Sequence, residues 1–233
     1  MLELRALGAG YGKVPVLFDV SLRVERGEAV ALLGSNNAGK TTLLRAISGL
    51  VRTTSGAILL DGADITGFAY ERIVRLGVAH IPEGRHVFPE MTVEDNLLVG
   101  ATRLAGGDRR RRLREIFEQF PLLEQLRRRA AGSLSGGQQQ TMVIARALMS
   151  RPALLLADEP SVGLSPVAID ALFDVFAALR RDGTTIVLAE QNAAFSLDLC
   201  DRGYVLQRGR ITLADDGAQL RSAAGALHEA YLA

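Results

Sequence analysis

The chain has 233 residues, 27 Lys and Arg against 26 Asp and Glu, a net charge of +1, 48% hydrophobic residues and one cysteine. That length buries a core without cross-links. The lone Cys200 excludes an intramolecular disulfide and suits a reducing compartment, and the balanced charge supplies no global field to recruit nucleic acid. No uncharged apolar run approaches the ~20 residues of a membrane span, and Met1–Arg5 lacks the long apolar stretch of a signal peptide. The expectation is a cytoplasmic chain that does not cross a bilayer by itself.

Residues 2–7 and 16–24 read as strands, the second alternating through Val16, Phe18, Val20 and Leu22. Residues 28–33 form a short apolar run ending in a Gly/Asn-rich turn, and 39–49 read as a helix. Residues 57–60 followed by Asp61-Gly62 predict a strand and a tight turn, and 78–81 another strand, stopped by Pro82. From about 85 to 135 the chain becomes Arg-rich, with few β-branched runs and helical stretches near 92–100, 109–119 and 122–130. Strand-like runs return at 153–157, 184–188 and 203–207, with helices at 137–149 and 166–180 between them. The alternation predicts an α/β fold with a mostly parallel central sheet and an inserted helical subdomain.

Between a predicted strand and a predicted helix, Gly34-Ser35-Asn36-Asn37-Ala38-Gly39-Lys40-Thr41-Thr42 fits G-x-x-x-x-G-K-[ST]. In such a loop backbone N–H groups wrap an anion, backed by the positive end of a helix dipole. Lys40 would reach the outer phosphates and Thr41 the Mg²⁺. The plain alternative is a Gly-rich turn followed by a surface lysine. Yet only Lys13 and Lys40 are lysines among the 27 basic residues, and a compact ammonium suits a phosphate cradle better than a forked guanidinium. The apolar run 153–157 ends in Asp158 and Glu159, which places both carboxylates at the sheet's C-terminal edge. There Asp158 would hold Mg²⁺ and Glu159 would polarise an attacking water. Ser135, Gly136, Gly137 and Gln138 precede a predicted helix and form a second anion cradle. One nucleotide does not need two such sites in one subunit, so this cradle is expected to close on ATP bound to a partner, head to tail.

With Leu134-Ser135-Gly136-Gly137-Gln138 preceding Asp158-Glu159, the chain resembles the ATP-binding cassette family of transporter ATPases over essentially its whole length. The resemblance implies a single P-loop NTPase domain, residues 1–84 and 152–233 forming the α/β core with an N-terminal antiparallel β-subdomain, and 85–151 the helical signature subdomain. It implies ATP and Mg²⁺ as cofactors. Nucleotide would be held by Gly34, Ser35, Asn36, Asn37, Ala38, Gly39, Lys40, Thr41 and Thr42, and by Ser135, Gly136, Gly137 and Gln138. Tyr11 either stacks on adenine or is a solvent-edge tyrosine. Thr41, Asp158 and Glu83 would hold metal, and Glu159, Gln191 and Lys40 would carry hydrolysis. The implied partners are transmembrane permease subunits, a second cassette ATPase (the same or a different chain) and, indirectly, a periplasmic or extracellular solute-binding protein. No nucleic acid is implied. The implied location is peripheral, on the cytoplasmic face of the inner membrane, with ATP-driven closure transmitted through Glu83–Met91 and the helical subdomain.

Ile81-Pro82-Glu83-Gly84-Arg85 with Phe88-Pro89, Gly163-Leu164-Ser165-Pro166, Ala189-Glu190-Gln191-Asn192 and Ala230-Tyr231-Leu232 are similar to one of the two ATPase subunits of branched-chain amino-acid importers. Relatives of that subgroup serve urea and other amides, which leaves the substrate open. Four positions depart from the general cassette pattern. Glu83 stands for a glutamine, either binding metal or pairing with Arg85, and Gln191 stands for the switch histidine, retaining a donor but no titratable proton. Ser165 stands for an aspartate and Asn37 for a glycine; asparagine tolerates positive φ, so nucleotide binding is expected to survive. Arg109–Arg112 with Arg114, and Arg127–Arg129, are either solvated helix faces paired with Glu115, Glu118 and Glu124 or contacts for anionic lipid headgroups. The competing class, a soluble cassette ATPase acting on ribosomes or DNA, fits poorly with a single cassette lacking sustained heptads.

Overall fold

The structure, a computed structural model, describes residues 1–191 and 193–222. Asn192 and Ala230-Tyr231-Leu232 lie outside the described residues. Strands β3 (Ala29–Leu33), β7 (Leu154–Asp158) and β8 (Thr185–Glu190) are buried at every position, as strands covered on both faces must be. With β6 (Val78–Ile81), β9 (Arg202–Gln207) and β10 (Arg210–Asp216) they form a six-stranded sheet of order β10-β9-β3-β8-β7-β6. All of its ladders are parallel except β9 with β10.

The two-residue period of these strands divides the interior. Ala29, Ala31, Leu33, Leu155, Ala157, Ile186 and Leu188 point into one core, shared with the helices of the middle segment. Val30, Leu32, Leu154, Leu156, Val187 and Ala189 point into the other. That second core is closed by α1 (Lys40–Ile47) and by an antiparallel sheet of β1 (Leu2–Tyr11), β2 (Val14–Val24), β4 (Thr53–Leu60) and β5 (Ala63–Asp64), ordered β2-β1-β4-β5.

Between β6 and β7 lie α3 (Val93–Gly100), α4 (Gly106–Gln119), α5 (Pro121–Gln125), a 3₁₀ turn (Ala131–Ser133) and α6 (Gly136–Leu148); α2 (Tyr70–Arg75) precedes β6. After β7 come α7 (Pro166–Arg181), α8 (Ala193–Leu199) and α9 (Gly217–Ser222). Helices α3, α6 and α7 open on Thr92, Ser135 and Ser165, whose hydroxyls accept from backbone N–H groups in the first turn. At Ser135 the Gln138 side chain reciprocates, completing a capping box.

The predicted helix over 122–130 is shorter in the structure. It ends at Gln125, and the carbonyls of Arg127 and Arg129 accept from the N–H groups of Glu94 and Val93 at the start of α3. Arg127–Arg129 therefore lie in a connecting segment rather than on a helix face, and Arg127 pairs with Glu94 instead of Glu124. Arg111 and Arg112 pair with Glu115, as does Arg151, and Arg112 also donates to the Leu148 carbonyl at the end of α6. Among the described residues Glu118 and Glu124 form no ion pair within 4.0 Å.

Gly100 sits where α3 meets α6, and an added Cβ would fall 1.9 Å from the Arg146 carbonyl oxygen. Overpacking of this kind costs about 1–3 kcal/mol. Gly100→Ala is expected to lower Tm in thermal unfolding, and an unchanged Tm would contradict this close approach.

Candidate functional site

Four parallel strands deliver their successors to one edge of the sheet. Leu33 is level with Glu190, Asp158 with Ala189, and Ile81 with Ala157. The Gly34–Lys40 loop, Asp158-Glu159, Gln191 and Glu83 consequently converge at the C-terminal ends of β3, β7, β8 and β6, the binding edge of an open α/β sheet. A cleft of about 680 Å³ there is lined by Asn36–Thr42, Glu83, Glu159, Val162 and Gln191, with Tyr11 at its rim.

The loop geometry follows from its residues. Asn37 takes φ 64°, the left-handed region that asparagine tolerates, and Gly39 takes φ 111°, which L side chains rarely adopt. Gly39 is the N-cap of α1, where no side chain caps the helix and no acid occupies the first turn. In contrast to α3, α6 and α7, the end of α1 therefore leaves its leading N–H groups to an anion.

Lys40, only 5% exposed, uses its ammonium on three acceptors: the Gly34 carbonyl at 2.6 Å, the Ser35 carbonyl at 3.0 Å and Glu159 Oε1 at 2.9 Å. Glu159 is also buried, and its Oε2 accepts from the Gln191 backbone N–H at 3.2 Å. Its φ is 47°, an uncommon value for a non-glycine residue, and it immediately precedes Pro160. Thr41 Oγ1 donates to Asp158 Oδ1 at 3.2 Å, while Asp158 Oδ2 is buried with no hydrogen-bond partner. Burial, reinforced by nearby Glu83 and Glu159, pushes the Asp158 carboxyl up to about 6 against the pull of Thr41.

Tyr11 is 46% exposed and places its hydroxyl 3.5 Å from Thr42 Oγ1 and 3.4 Å from an Arg45 nitrogen, its ring at the mouth of the cleft. Arg85 turns from Glu83 to Gly163, whose carbonyl accepts at 2.9 Å, and its guanidinium packs against Gly136. No Glu83–Arg85 ion pair forms. Ser135, Gly136, Gly137 and Gln138, at the start of α6, do not line this cleft.

Two supporting residues carried no predicted role. Asn96 is fully buried and its side chain bonds the backbone of Phe88, Met91 and Thr92, fixing the segment that runs from Glu83 to α3. Glu190, 1% exposed, accepts from the N–H and the hydroxyl of Ser161. Burial pushes its carboxyl up to about 7, while the Ser161 donors and the Gln191 N–H pull the other way and Glu159 adds to the rise. An acid closing the apolar run 186–189 was the available signal for Glu190; Asn96, which follows Glu94 and Asp95, carried none.

The family profile for ABC transporters matches residues 17–162. The chain is 44% identical over 220 residues to the high-affinity branched-chain amino acid transport ATP-binding protein BraG of Pseudomonas aeruginosa, covering 94% of each. It is 37% identical to the probable branched-chain amino acid transport ATP-binding protein LivF of Archaeoglobus fulgidus, covering 91% of this chain and 90% of the other. A nucleotide-free ATP-binding cassette from an ABC transporter superposes with a TM-score of 0.88 at 26% identity, covering 97% of this chain and 95% of that one. A dimeric cassette in a post-hydrolysis state bound to ADP and phosphate does so with a TM-score of 0.80 at 25% identity, over 93% and 98%.

A carboxyl whose folded pKa lies above its unfolded value is penalised when ionised, so stability falls as pH rises from about 4.5 to about 7. Glu190→Gln removes that penalty. The variant is expected to gain stability over the parent as pH rises from 5 to 8, by at most roughly 3 kcal/mol, in denaturant titrations at each pH. A gain independent of pH would contradict a buried, titrating Glu190.

Proposed function

The chain belongs to the ATP-binding cassette family of ABC transporters and is an ATPase; from that membership we propose that it drives an importer for branched-chain amino acids. The observation that carries this reading is 44% identity, spread over 94% of both chains, with a subunit named for that transport. Among the described residues no helix is long and apolar enough to cross a membrane. In this reading other subunits supply the membrane path, and the chain works peripherally at the cytoplasmic face.

The mechanism follows from the cleft. The Gly34–Gly39 loop and the uncapped start of α1 receive the phosphates, Tyr11 stacks on adenine, and Lys40 exchanges its loop carbonyls and Glu159 for phosphate oxygens. Released from Lys40, Glu159 orients and deprotonates water for attack, and the side chain of Gln191 donates to the outer phosphate. The donor set suits Mg²⁺: a hydroxyl beside a buried carboxylate with one unpartnered oxygen, in a protein whose described residues gather no group of three or more His, Cys, Asp or Glu fit to hold a metal. An ion that keeps waters and shares phosphate oxygens needs only such a small protein contribution. Thr41, Asp158 and Glu83 would hold it, and it would neutralise charge developing on the phosphate oxygens.

Ser135, Gly136, Gly137 and Gln138 serve the nucleotide of a second cassette, which is why they stand away from their own cleft. The permease is assigned to a groove of about 640 Å³ between α2, β6, α3 and α6, lined in part by Tyr70, Val74, His80, Val99, Arg103 and Arg146. His80 Nε2 and one Arg146 guanidinium nitrogen there are buried and unpartnered.

Glu159→Gln is expected to keep ATP binding, to lose about 10²–10⁴-fold in hydrolysis and to accumulate an ATP-bound dimer in size-exclusion chromatography. Hydrolysis at the parental rate would remove Glu159 from this role. In reconstituted vesicles, ATP-dependent uptake of leucine, isoleucine and valine in preference to urea is expected; uptake of urea alone would reassign the substrate.

A further inference from the structure

We propose that Glu190 is a positioning residue for hydrolysis, its buried side chain fixing the Pro160-Ser161 turn and through it the direction of the Glu159 carboxylate. The inference rests on the reading of Glu159 as the water-orienting group and goes beyond it by naming what aims that group.

The turn after β7 has few ways to be held. Asp158 ends the strand, Pro160 has no N–H to give, and the backbone donors on either side of the proline are those of Glu159 and Ser161. Both go to β8: Glu159 N–H to the Ala189 carbonyl at 2.9 Å, and Ser161 N–H to Glu190 Oε1 at 3.0 Å. Ser161 adds its hydroxyl to Glu190 Oε2 at 2.9 Å, so one buried carboxylate grips one buried residue through both of its oxygens. The Val162 N–H then closes the turn on the Glu159 carbonyl at 3.2 Å.

Between these anchors Glu159 is held at φ 47°. A left-handed conformation is strained for a non-glycine residue and persists only where its surroundings over-determine it. Here the surroundings are Ala189 and Glu190 at the end of β8. The same strand end leads directly into Gln191, whose N–H reaches Glu159 Oε2. Two residues of one strand thus set the backbone on both sides of Pro160, and the next residue touches the carboxylate itself. Asp158, the last residue of β7, is turned to Thr41 instead, and Lys40 of α1 reaches only the carboxylate of Glu159, not its backbone.

The requirement is geometric, so an amide of the same shape meets most of it. A glutamine oxygen accepts from the Ser161 N–H while its NH₂ group donates to the hydroxyl.

The test measures steady-state ATP hydrolysis, ATP affinity by calorimetry and thermal unfolding on the full chain carrying Glu190→Ala, Glu190→Gln, Ser161→Ala or Glu159→Gln. Glu190→Ala is expected to lose about ten- to a hundredfold in kcat while ATP Kd stays within about twofold, the selectivity expected when a contact matters only in the transition state. Ser161→Ala is expected to lose kcat in the same direction, and it decides the matter if Glu190→Ala does not fold. Glu190→Gln is expected to restore kcat to within about threefold of the parent, since it keeps the contacts to Ser161. Parental kcat in folded Glu190→Ala and Ser161→Ala, with Glu159→Gln inactive, would overturn the inference and leave the role of Glu159 intact. Parental kcat in Glu159→Gln would instead overturn the reading on which it rests. Equal losses in Glu190→Gln and Glu190→Ala, with ATP affinity falling in parallel, would indicate general damage and also overturn it.

Discussion

The ion pair between Lys40 and Glu159 is the constraint around which the site is organised. An ammonium has three N–H donors, and in this structure all three are spent, on the carbonyls of Gly34 and Ser35 and on Glu159 Oε1. Both side chains are almost fully buried, where an unpaired charge would be strongly destabilising and a paired one is tolerable only when its remaining hydrogen bonds are satisfied. The pair ties the phosphate loop after β3 to the acid after β7. A phosphate that takes an N–H of this ammonium must replace at least one of the three acceptors; in the proposed mechanism Glu159 is among those replaced, which would couple nucleotide binding to its release.

Around that single lysine stand several acids. Glu83 and Glu159 line the cleft, Asp158 bonds Thr41 at the start of α1, and the buried Glu190 holds Ser161. Burial and mutual repulsion push Asp158 and Glu190 upward, which is the electrostatic signature of a site short of positive charge. The unpartnered oxygen of Asp158 lies where a divalent cation would relieve that imbalance. Glu190 differs in kind: it lines no part of the cleft, and its oxygens face Ser161 and the end of its own strand.

Much of this was legible in the chain itself. The loop and the paired acids could be read because the chemistry fixes residue types at fixed offsets from strands whose apolar runs are unmistakable, while Gln191 followed from the family resemblance alone; the three central strands end within a residue or two of their predicted limits. What escaped prediction depends on contacts between distant segments. The strand at 2–7 runs on to Tyr11 because pairing with β2 and β4 carries it through Gly8 and Gly10. Helix α5 stops early because the carbonyls after it are needed at the start of α3, a demand invisible in local propensity. The edge strand β10 is mostly polar and exposed, so it carried no apolar run to find. Glu190 is a single acid at the end of an apolar run whose partner, Ser161, follows another strand, while Asn96 bonds backbone only four to eight residues away and stands beside Glu94 and Asp95, so no pattern singled it out.

The most direct test of the coupling between phosphate and Glu159 is a crystal structure of the chain with a non-hydrolysable ATP analogue. The account predicts the Lys40 ammonium on phosphate oxygens, beyond salt-bridge distance of Glu159, with the Glu159 carboxylate facing the outer phosphate. A Lys40–Glu159 pair unchanged at 2.9 Å with the analogue bound in the cleft would contradict it.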